Sequence, residues 1–151
     1  MKWLKIVLVI FILFASISLL LLPKPVSKKN NNLKRITVGS QELSVEIAND
    51  PSEITKGLGE RDQIGSDGML FVLSQRIIPT FWMKGMRFAL DFVWIDGGRV
   101  VDLTENVPAE PGVVDAKLKR YSPDHVVTHV LELDAGEIKK REISVGDSVQ
   151  M

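Results

Sequence analysis

Residues 67–96 constrain the fold of this chain more than any other segment. They read DGMLFVLSQRIIPTFWMKGMRFALDFVWID, a run of apolar and aromatic stretches separated by Gly, Pro and polar residues, with Lys84 as the only lysine. Apolar stretches of about four to eight residues bounded by turn residues are typical of strands and are shorter than most helices. The segment therefore predicts several buried strands of a small β domain.

Turn residues elsewhere predict hairpins. Leu43, Val45 and Ile47 alternate with polar residues, which indicates a strand, and a two-residue Gly39-Ser40 turn joins it to a preceding strand. The clearest hairpin signal is Asp96-Gly97-Gly98 between two apolar runs. The predicted strands cover residues 34–38, 42–48, 69–73, 80–84, 88–95, 99–105, 125–133 and 143–149.

Helices are predicted to be few and short. Asp50 is a candidate N-cap, Pro51 suits the first helical position, and Glu53 completes the capping pattern of a helix over residues 51–58. Residues 135–140 are long enough for one helical turn. Eight or nine short strands with one or two small helices predict a mainly β fold, either a single β-sandwich or a partly closed barrel.

The first segment of the chain is apolar. Residues 3–22 contain only Lys5, Ser16 and Ser18 as polar side chains. About twenty residues of helix span about 30 Å, the hydrocarbon thickness of a bilayer, so we expect an N-terminal transmembrane helix. The alternatives are a signal peptide cleaved near Ser16-Ile17-Ser18 and an internal core helix. We therefore divide the chain into residues 1–22 as anchor or signal, 23–33 as a polar linker, and 34–151 as the β domain.

Composition excludes several function classes. The chain has no cysteine, which excludes disulfides, thiolate zinc sites, a cysteine nucleophile and a lipid-modified cysteine. All 19 acidic residues but only 14 of the 19 basic residues follow position 30, so the β domain carries a net charge of −5. A mildly acidic domain gives no electrostatic support for nucleic-acid binding.

Two sequence words identify a family. GMLF at residues 68–71 and FWMK at residues 81–84, with L-E-L-x-A-G at 131–136 and V-G-D at 145–147, resemble the domain-of-unknown-function family 192. The resemblance covers residues 42–149. It implies a small, mostly β domain, often exported behind a signal or membrane segment, and it supplies no activity and no catalytic residue.

Two features of the sequence predict opposite orientations in the membrane. Lys2 and Lys5 precede the apolar segment, whereas Lys24, Lys28 and Lys29 follow it. The positive-inside rule alone would leave the domain in the cytoplasm. The resemblance implies an exported domain, and we therefore expect single-pass membrane attachment with the domain on the extracytoplasmic side.

Lys84 is the charge most suggestive of chemistry. In residues 81–84, alternation places Phe81 and Met83 on one face and Trp82 and Lys84 on the other, which we expect to line an open concave face. A lysine beside a tryptophan could bind an anionic group, stack a cation on the ring or act as a base. The alternative is an ion pair with Asp91 or Glu132, and we expect the strand at residues 88–95 to bring Asp91 within reach.

Arg61 is the second candidate cation. Near Lys84 it would form a two-cation pocket for a carboxylate or phosphate. The alternative is a salt bridge with Asp62 or Asp67 that fixes a loop. The candidate binding residues are therefore Arg61, Trp82, Lys84, Asp91 and Glu132.

Two further groups of residues are interpreted as structural. The aromatic and methionine side chains near residues 69–94 could form a ligand-binding wall, but such a set more often forms the core of a small sheet. His125 and His129 lie four residues apart in a predicted strand, about 13 Å along the chain, which is too far to share one metal ion. No metal site and no cofactor is expected.

Three functions remain in competition. The first is a membrane-tethered extracytoplasmic β domain that binds a small ligand or an envelope partner protein. The second is an enzyme of unknown class that uses Lys84 with Asp91 or Glu132, although the chain has no recognised catalytic motif. The third is a structural envelope module without a pocket. Convergence of Arg61, Lys84 and an acid in a concave site would favour the first two.

Overall fold

The computed structural model describes residues 33–151, and residues 31–151 form one compact unit. The apolar segment at residues 3–22 and most of the predicted linker lie outside the described residues. Within residues 33–151, no helix is long and apolar enough to cross a membrane.

The domain is mainly β, as predicted, with two short helices. Its elements run in the order β1 (Leu33–Val38), β2 (Gln41–Ala48), α1 (Pro51–Lys56), β3 (Gly68–Ile77), β4 (Leu90–Asp96), β5 (Arg99–Val107), a 3-10 turn (Asp115–Lys117), β6 (Val127–Asp134), α2 (Glu137–Lys140) and β7 (Val149–Gln150).

The strands form a single curled sheet, half of a barrel. Its order is β5-β4-β6-β3-β2-β1-β7, and every neighbouring pair is antiparallel except β2 and β3. An isolated bridge between Arg99 and Ser148 links the β5 edge to the residues just before β7. Two sheets packed face to face, the sandwich alternative, are therefore not observed in the described part of the chain, and seven strands replace the eight or nine expected.

Local sequence explains the turns and the first helix. Gly39 and the Gly97-Gly98 pair adopt positive φ angles, as tight hairpin turns require. The Asp50 carboxylate accepts hydrogen bonds from the Ser52 and Glu53 backbone N–H groups and so caps α1. These predictions are confirmed. The strand expected over residues 143–149 is wrong in extent, because only β7 at its end pairs in the sheet.

The middle strands bury both faces of the sheet. In β3, Leu70 packs in a cluster with the residues of β1 and β2, while its neighbour Phe71 packs in a second cluster on the other face. Strands β4 and β6 divide their side chains in the same way, with Phe92 and Trp94 in the second cluster. This arrangement explains the nearly continuous apolar runs in the sequence.

Gly68 allows β3 to lie against β6. A Cβ at this position would lie 2.6 Å from the backbone oxygen of Glu132 and 2.9 Å from a methyl carbon of Leu133. Any side chain there would push the two strands apart. The glycine therefore fixes the position of Glu132, which faces the second cluster together with Val130.

Candidate functional site

A cavity of about 790 Å³ opens on the face of the sheet that carries Phe71 and Glu132. Its other walls come from the C-terminal end of α1, the turn that follows it, and the loop at residues 80–86. The lining residues are Ile54, Thr55, Lys56, Gly57, Leu58, Gly59, Glu60, Phe71, Thr80, Phe81, Trp82, Lys84, Gly85, Met86, Asp115 and Glu132.

Glu132 is the most unusual residue of this cavity. It lies on β6 between Met69 of β3 and Phe92 of β4, and only 5% of its surface is accessible. Burial raises the pKa of its carboxyl group to about 8, because there is little water to stabilise the charge. At neutral pH this side chain is therefore mostly protonated and can donate a hydrogen bond.

No group among the described residues compensates the Glu132 carboxyl. Within residues 33–151 this carboxyl group forms neither a hydrogen bond nor an ion pair. Every fully buried side-chain oxygen of these residues has a hydrogen-bond partner, so the Glu132 carboxyl oxygens are not fully buried. The small accessible surface of the residue therefore includes these oxygens, and it faces the cavity. A ligand group placed there would meet an acid with unused hydrogen-bonding capacity.

Aromatic rings form one wall. Phe81 contacts Phe71 edge to face, with ring centroids 5.2 Å apart, and its backbone exchanges two hydrogen bonds with Tyr121. Trp82 points outward and is 42% exposed, with the Arg120 guanidinium carbon 3.8 Å from the ring centroid. The predicted alternation is confirmed in this respect, because Met83 is buried and Trp82 is not.

Lys84 lies at the mouth of the cavity. Its ammonium nitrogen pairs with an Asp115 carboxylate oxygen at 2.5 Å, and both side chains are more than half exposed. The expected ion pair with Asp91 or Glu132 is therefore wrong. The pairing of residues 80–84 with the following strand is also wrong, because Phe81 bridges to Tyr121 while β4 lies between β5 and β6.

Asp91 serves the fold and lies outside the cavity lining. The side chain is fully buried and accepts hydrogen bonds from the backbone N–H groups of Asn106, Gly136 and Ile138 at 2.7, 2.9 and 3.0 Å. It thereby joins β4 to the end of β5 and to the first turn of α2. Its candidate role as a partner of Lys84 is excluded by these contacts.

Arg61 also lies outside the cavity lining. Its guanidinium group forms a two-point contact with the Glu46 carboxylate, at 2.7 and 3.0 Å, and also donates to the Ile64 backbone oxygen. The two-cation pocket with Lys84 is therefore not formed. Arg61 does form a salt bridge, as the alternative prediction required, but its partner is Glu46 rather than Asp62 or Asp67.

The sequence of this domain matches a known family. The model of family 192 of domains of unknown function, described as an uncharacterized ACR, matches residues 34–151. The chain belongs to this family. No curated protein matches.

Two solved structures resemble this member of family 192. One, from Sinorhizobium meliloti 1021, is described as a putative transcription regulator; it is 30% identical, with a TM-score of 0.69, over 78% of this chain and 92% of that one. The other, a protein of unknown function from Novosphingobium aromaticivorans DSM 12444, is 26% identical with the same TM-score, over 86% of this chain and 91% of that one.

The words that carry the family resemblance meet at the cavity. Phe71 ends the GMLF word, Phe81, Trp82 and Lys84 belong to FWMK, and Glu132 is the acid of L-E-L-x-A-G. Three of the five candidate binding residues thus line one cavity, namely Trp82, Lys84 and Glu132.

Sequence reasoning missed some lining residues and assigned others to the core. Nothing in the sequence marks Asp115, Lys56 and Glu60 as site residues, because they meet at the cavity only through tertiary packing. Lys56 ends α1, whereas Glu60 and Asp115 lie in turns whose path the sequence does not specify. Most of the aromatic and methionine set is core, as interpreted, but some of its members also line the cavity.

The histidines are separated by their local structure. His129 lies on β6 and is partly buried, and burial together with the nearby Lys34 charge lowers its pKa. His125 precedes the strand, which begins two residues later than predicted. Residues 33–151 contain no group of three His, Asp or Glu residues placed to hold a metal ion.

Proposed function

We propose that this domain binds a small organic molecule in the cavity beside α1, with Glu132 as the polar contact at its base. The observation that carries the proposal is the buried carboxyl group of Glu132, which faces the cavity without a partner among the described residues. An uncompensated buried acid lowers the stability of the fold, so packing does not explain a glutamate at this position. A role in binding does explain it.

The size and the lining of the cavity agree with this role. Small-molecule sites are clefts of roughly 300–1,000 Å³ with apolar and aromatic walls and a few polar groups that orient the ligand. A cavity of about 790 Å³ with Phe71 and Phe81 in its wall has this character. Lys84 and Asp115, paired at the mouth, are exposed and can reorient when a ligand enters.

The test is a fragment screen by ligand-detected NMR with two tryptophan variants of α1. Thr55 lines the cavity and is exposed, so Thr55→Trp should obstruct the mouth without disturbing the core. Ser52→Trp lies on the same helix, also exposed and outside the lining, and is the matched control. We expect fragments that bind the unmodified protein and Ser52→Trp but not Thr55→Trp. Absence of any such fragment would contradict the proposal.

A catalytic role is the second candidate. A carboxyl group with a pKa near 8 is suited to transfer protons at neutral pH, and the Lys84 ammonium lines the same cavity. An enzyme of this kind would convert a bound fragment, and conversion would cease in Glu132→Gln while binding persisted. Product analysis of the fragments found in the screen separates catalysis from simple binding.

We further propose that the domain is held at a membrane by residues 3–22 and lies on the extracytoplasmic side. The length and apolar character of that segment support the anchor, and the exported character implied by the family supports the orientation. The full-length protein should remain with membranes after a carbonate wash, and protease added outside intact cells should digest the domain. Release of a species that starts near residue 19 would show cleavage instead.

Nucleic-acid binding is not part of the proposal. One structural neighbour is described as a putative transcription regulator, but the description concerns that protein. In this chain, residues 31–151 carry 14 basic and 19 acidic residues. Binding to DNA depends on positive charge that neutralises phosphates, and the net charge of −5 opposes it.

A further inference from the structure

We propose that the ligand is an organic cation, a primary amine whose protonated head binds the Glu132 carboxylate and whose apolar body packs against Phe71 and Phe81. This inference rests on the proposed binding function and assigns the chemical class of its ligand. It follows from the charge that the cavity offers at its base and from the rings that surround that charge.

The distribution of charge in the cavity favours a cation at its base. Five ionisable side chains line it, and among them Lys84 and Asp115 compensate each other at the exposed mouth. Lys56 and Glu60 are also exposed, at the rim. Glu132 alone is buried, and the side chains beside it on the neighbouring strands are the apolar Met69 and Phe92. The base of the cavity therefore presents one acid and no base.

The Glu132 carboxyl group interacts more strongly with an ammonium group than with a neutral one. A protonated carboxyl group forms ordinary neutral hydrogen bonds, whereas a carboxylate paired with an ammonium group forms charge-assisted ones that are about twice as strong. An incoming ammonium group also supplies the opposite charge that lowers the pKa of the acid. Entry of an amine thus converts Glu132 from an acid held neutral by burial into the anion of a buried ion pair, with loss of its proton to solvent.

The aromatic wall of the cavity also favours a cation. Aromatic faces attract cations, and a desolvated cation gains more from them than an exposed one. Phe71 and Phe81 also offer the apolar surface that the body of an amine needs. The outer ring of the same wall already binds a cation within the chain, since the Arg120 guanidinium group lies over Trp82.

Two other ligand classes make different demands. A neutral alcohol or carbonyl compound would accept the hydrogen bond of protonated Glu132, and its affinity would fall above the pKa of that acid. A carboxylate would need Lys84, which Asp115 already neutralises, and would be repelled by ionised Glu132. The amine differs from both because its affinity requires the carboxylate. The affinity of the amine should therefore rise about tenfold for each pH unit from pH 6 until the pH approaches 8.

The experiment uses the full-length chain in phosphatidylcholine nanodiscs, with empty nanodiscs as the blank. Isothermal titration compares butylamine, phenethylamine and tryptamine with the alcohols of the same carbon skeletons and with 3-phenylpropanoate, from pH 6 to pH 8. Titration in two buffers of different ionisation enthalpy counts the protons released. Glu132→Gln removes the charge at the base, and Glu105→Gln makes the same change at an exposed position of β5 outside the cavity lining, as the matched control.

We expect at least one amine to bind tenfold more tightly than its alcohol at pH 8, with release of close to one proton at pH 6.5. Glu132→Gln should reduce that affinity at least tenfold, while Glu105→Gln should keep it within about threefold. Alcohols or 3-phenylpropanoate that bind as well as the amines, with no effect of Glu132→Gln, would overturn the inference and leave the binding function standing. If no probe binds and the fragment screen finds no Thr55→Trp-sensitive fragment, both fail.

Discussion

Glu132→Gln should change how the stability of the domain depends on pH. Glutamine keeps the size of the side chain and its hydrogen-bonding groups but has no proton to lose. In the unmodified protein the pKa of this carboxyl group is 4.5 when unfolded and about 8 when folded. The folded state thus holds a proton that the unfolded state has lost, and the free energy of unfolding falls as the pH rises from 4.5 to 8.

The magnitude follows from the two pKa values. At about 1.36 kcal/mol for each pH unit of separation, the full effect is about 5 kcal/mol, of which about 4 kcal/mol falls between pH 5 and pH 9. The glutamine variant lacks this loss. Its stability relative to the unmodified protein should therefore rise by about 4 kcal/mol across that interval, a large part of the total stability of a domain of this size.

Urea unfolding of the compact unit, residues 31–151, at pH 5, 7 and 9 measures this difference. Other groups with shifted pKa values, such as His129 and Asp134, are present in both proteins and largely cancel in the comparison. Glu60→Gln, at the exposed rim, should follow the unmodified protein at every pH. A difference between Glu132→Gln and the unmodified protein that stays constant within about 1 kcal/mol would refute the claim that this carboxyl group is desolvated.

The remaining predictions concern the residues that hold the site in place. Asp91→Ala removes three hydrogen bonds to a buried carboxylate and should cost roughly 4 kcal/mol or more, with a smaller loss in Asp91→Asn, as measured by thermal unfolding. Lys84→Met breaks an exposed ion pair and a distant cation–π contact with Trp82, so its free energy of unfolding should match the original within about 1 kcal/mol; a larger loss would show a structural role. Gly68→Ala forces the β3 and β6 backbones apart and should cost about 1–3 kcal/mol in the same measurement, and a cost below about 0.5 kcal/mol would contradict this close approach.

Local signals in the sequence predicted the local structure. The Asp96-Gly97-Gly98 hairpin and the Asp50 cap depend on residues that are adjacent in the chain, so their chemistry specifies their geometry directly. The single sheet and its strand order could not be obtained in this way. β6 lies between β3 and β4 in the sheet, and the apolar pattern of these strands does not indicate which strands pair with β6.

The errors at the site have the same origin. Asp91 and Lys84 were expected to pair because the strand at residues 88–95 follows residues 80–84 after a short link. In the structure that strand, β4, pairs with β5 and β6. Asp91 accepts hydrogen bonds from backbone N–H groups of residues up to 47 positions away in the chain. The partner of Lys84 comes from the 3-10 turn, in a loop whose path is set by long-range packing.

Glu132 shows what alternation can and cannot establish. The pattern of residues 130–133 places Val130 and Glu132 on one face of β6 and Leu131 and Leu133 on the other. A charged residue in such a pattern normally indicates the face exposed to water. Here the loop at residues 80–86 and α1 cover that face, so the acid lies among aromatic rings.

The cost of that burial bears on function. Folding alone would favour an apolar residue at position 132, since Met69 and Phe92 flank it and no cation is provided by the described residues. Proteins tolerate such costs mainly where a buried ionisable group acts on a ligand or substrate. If Glu132→Gln stabilises the domain at high pH and also abolishes amine binding, the same carboxyl group would both lower stability and create the site.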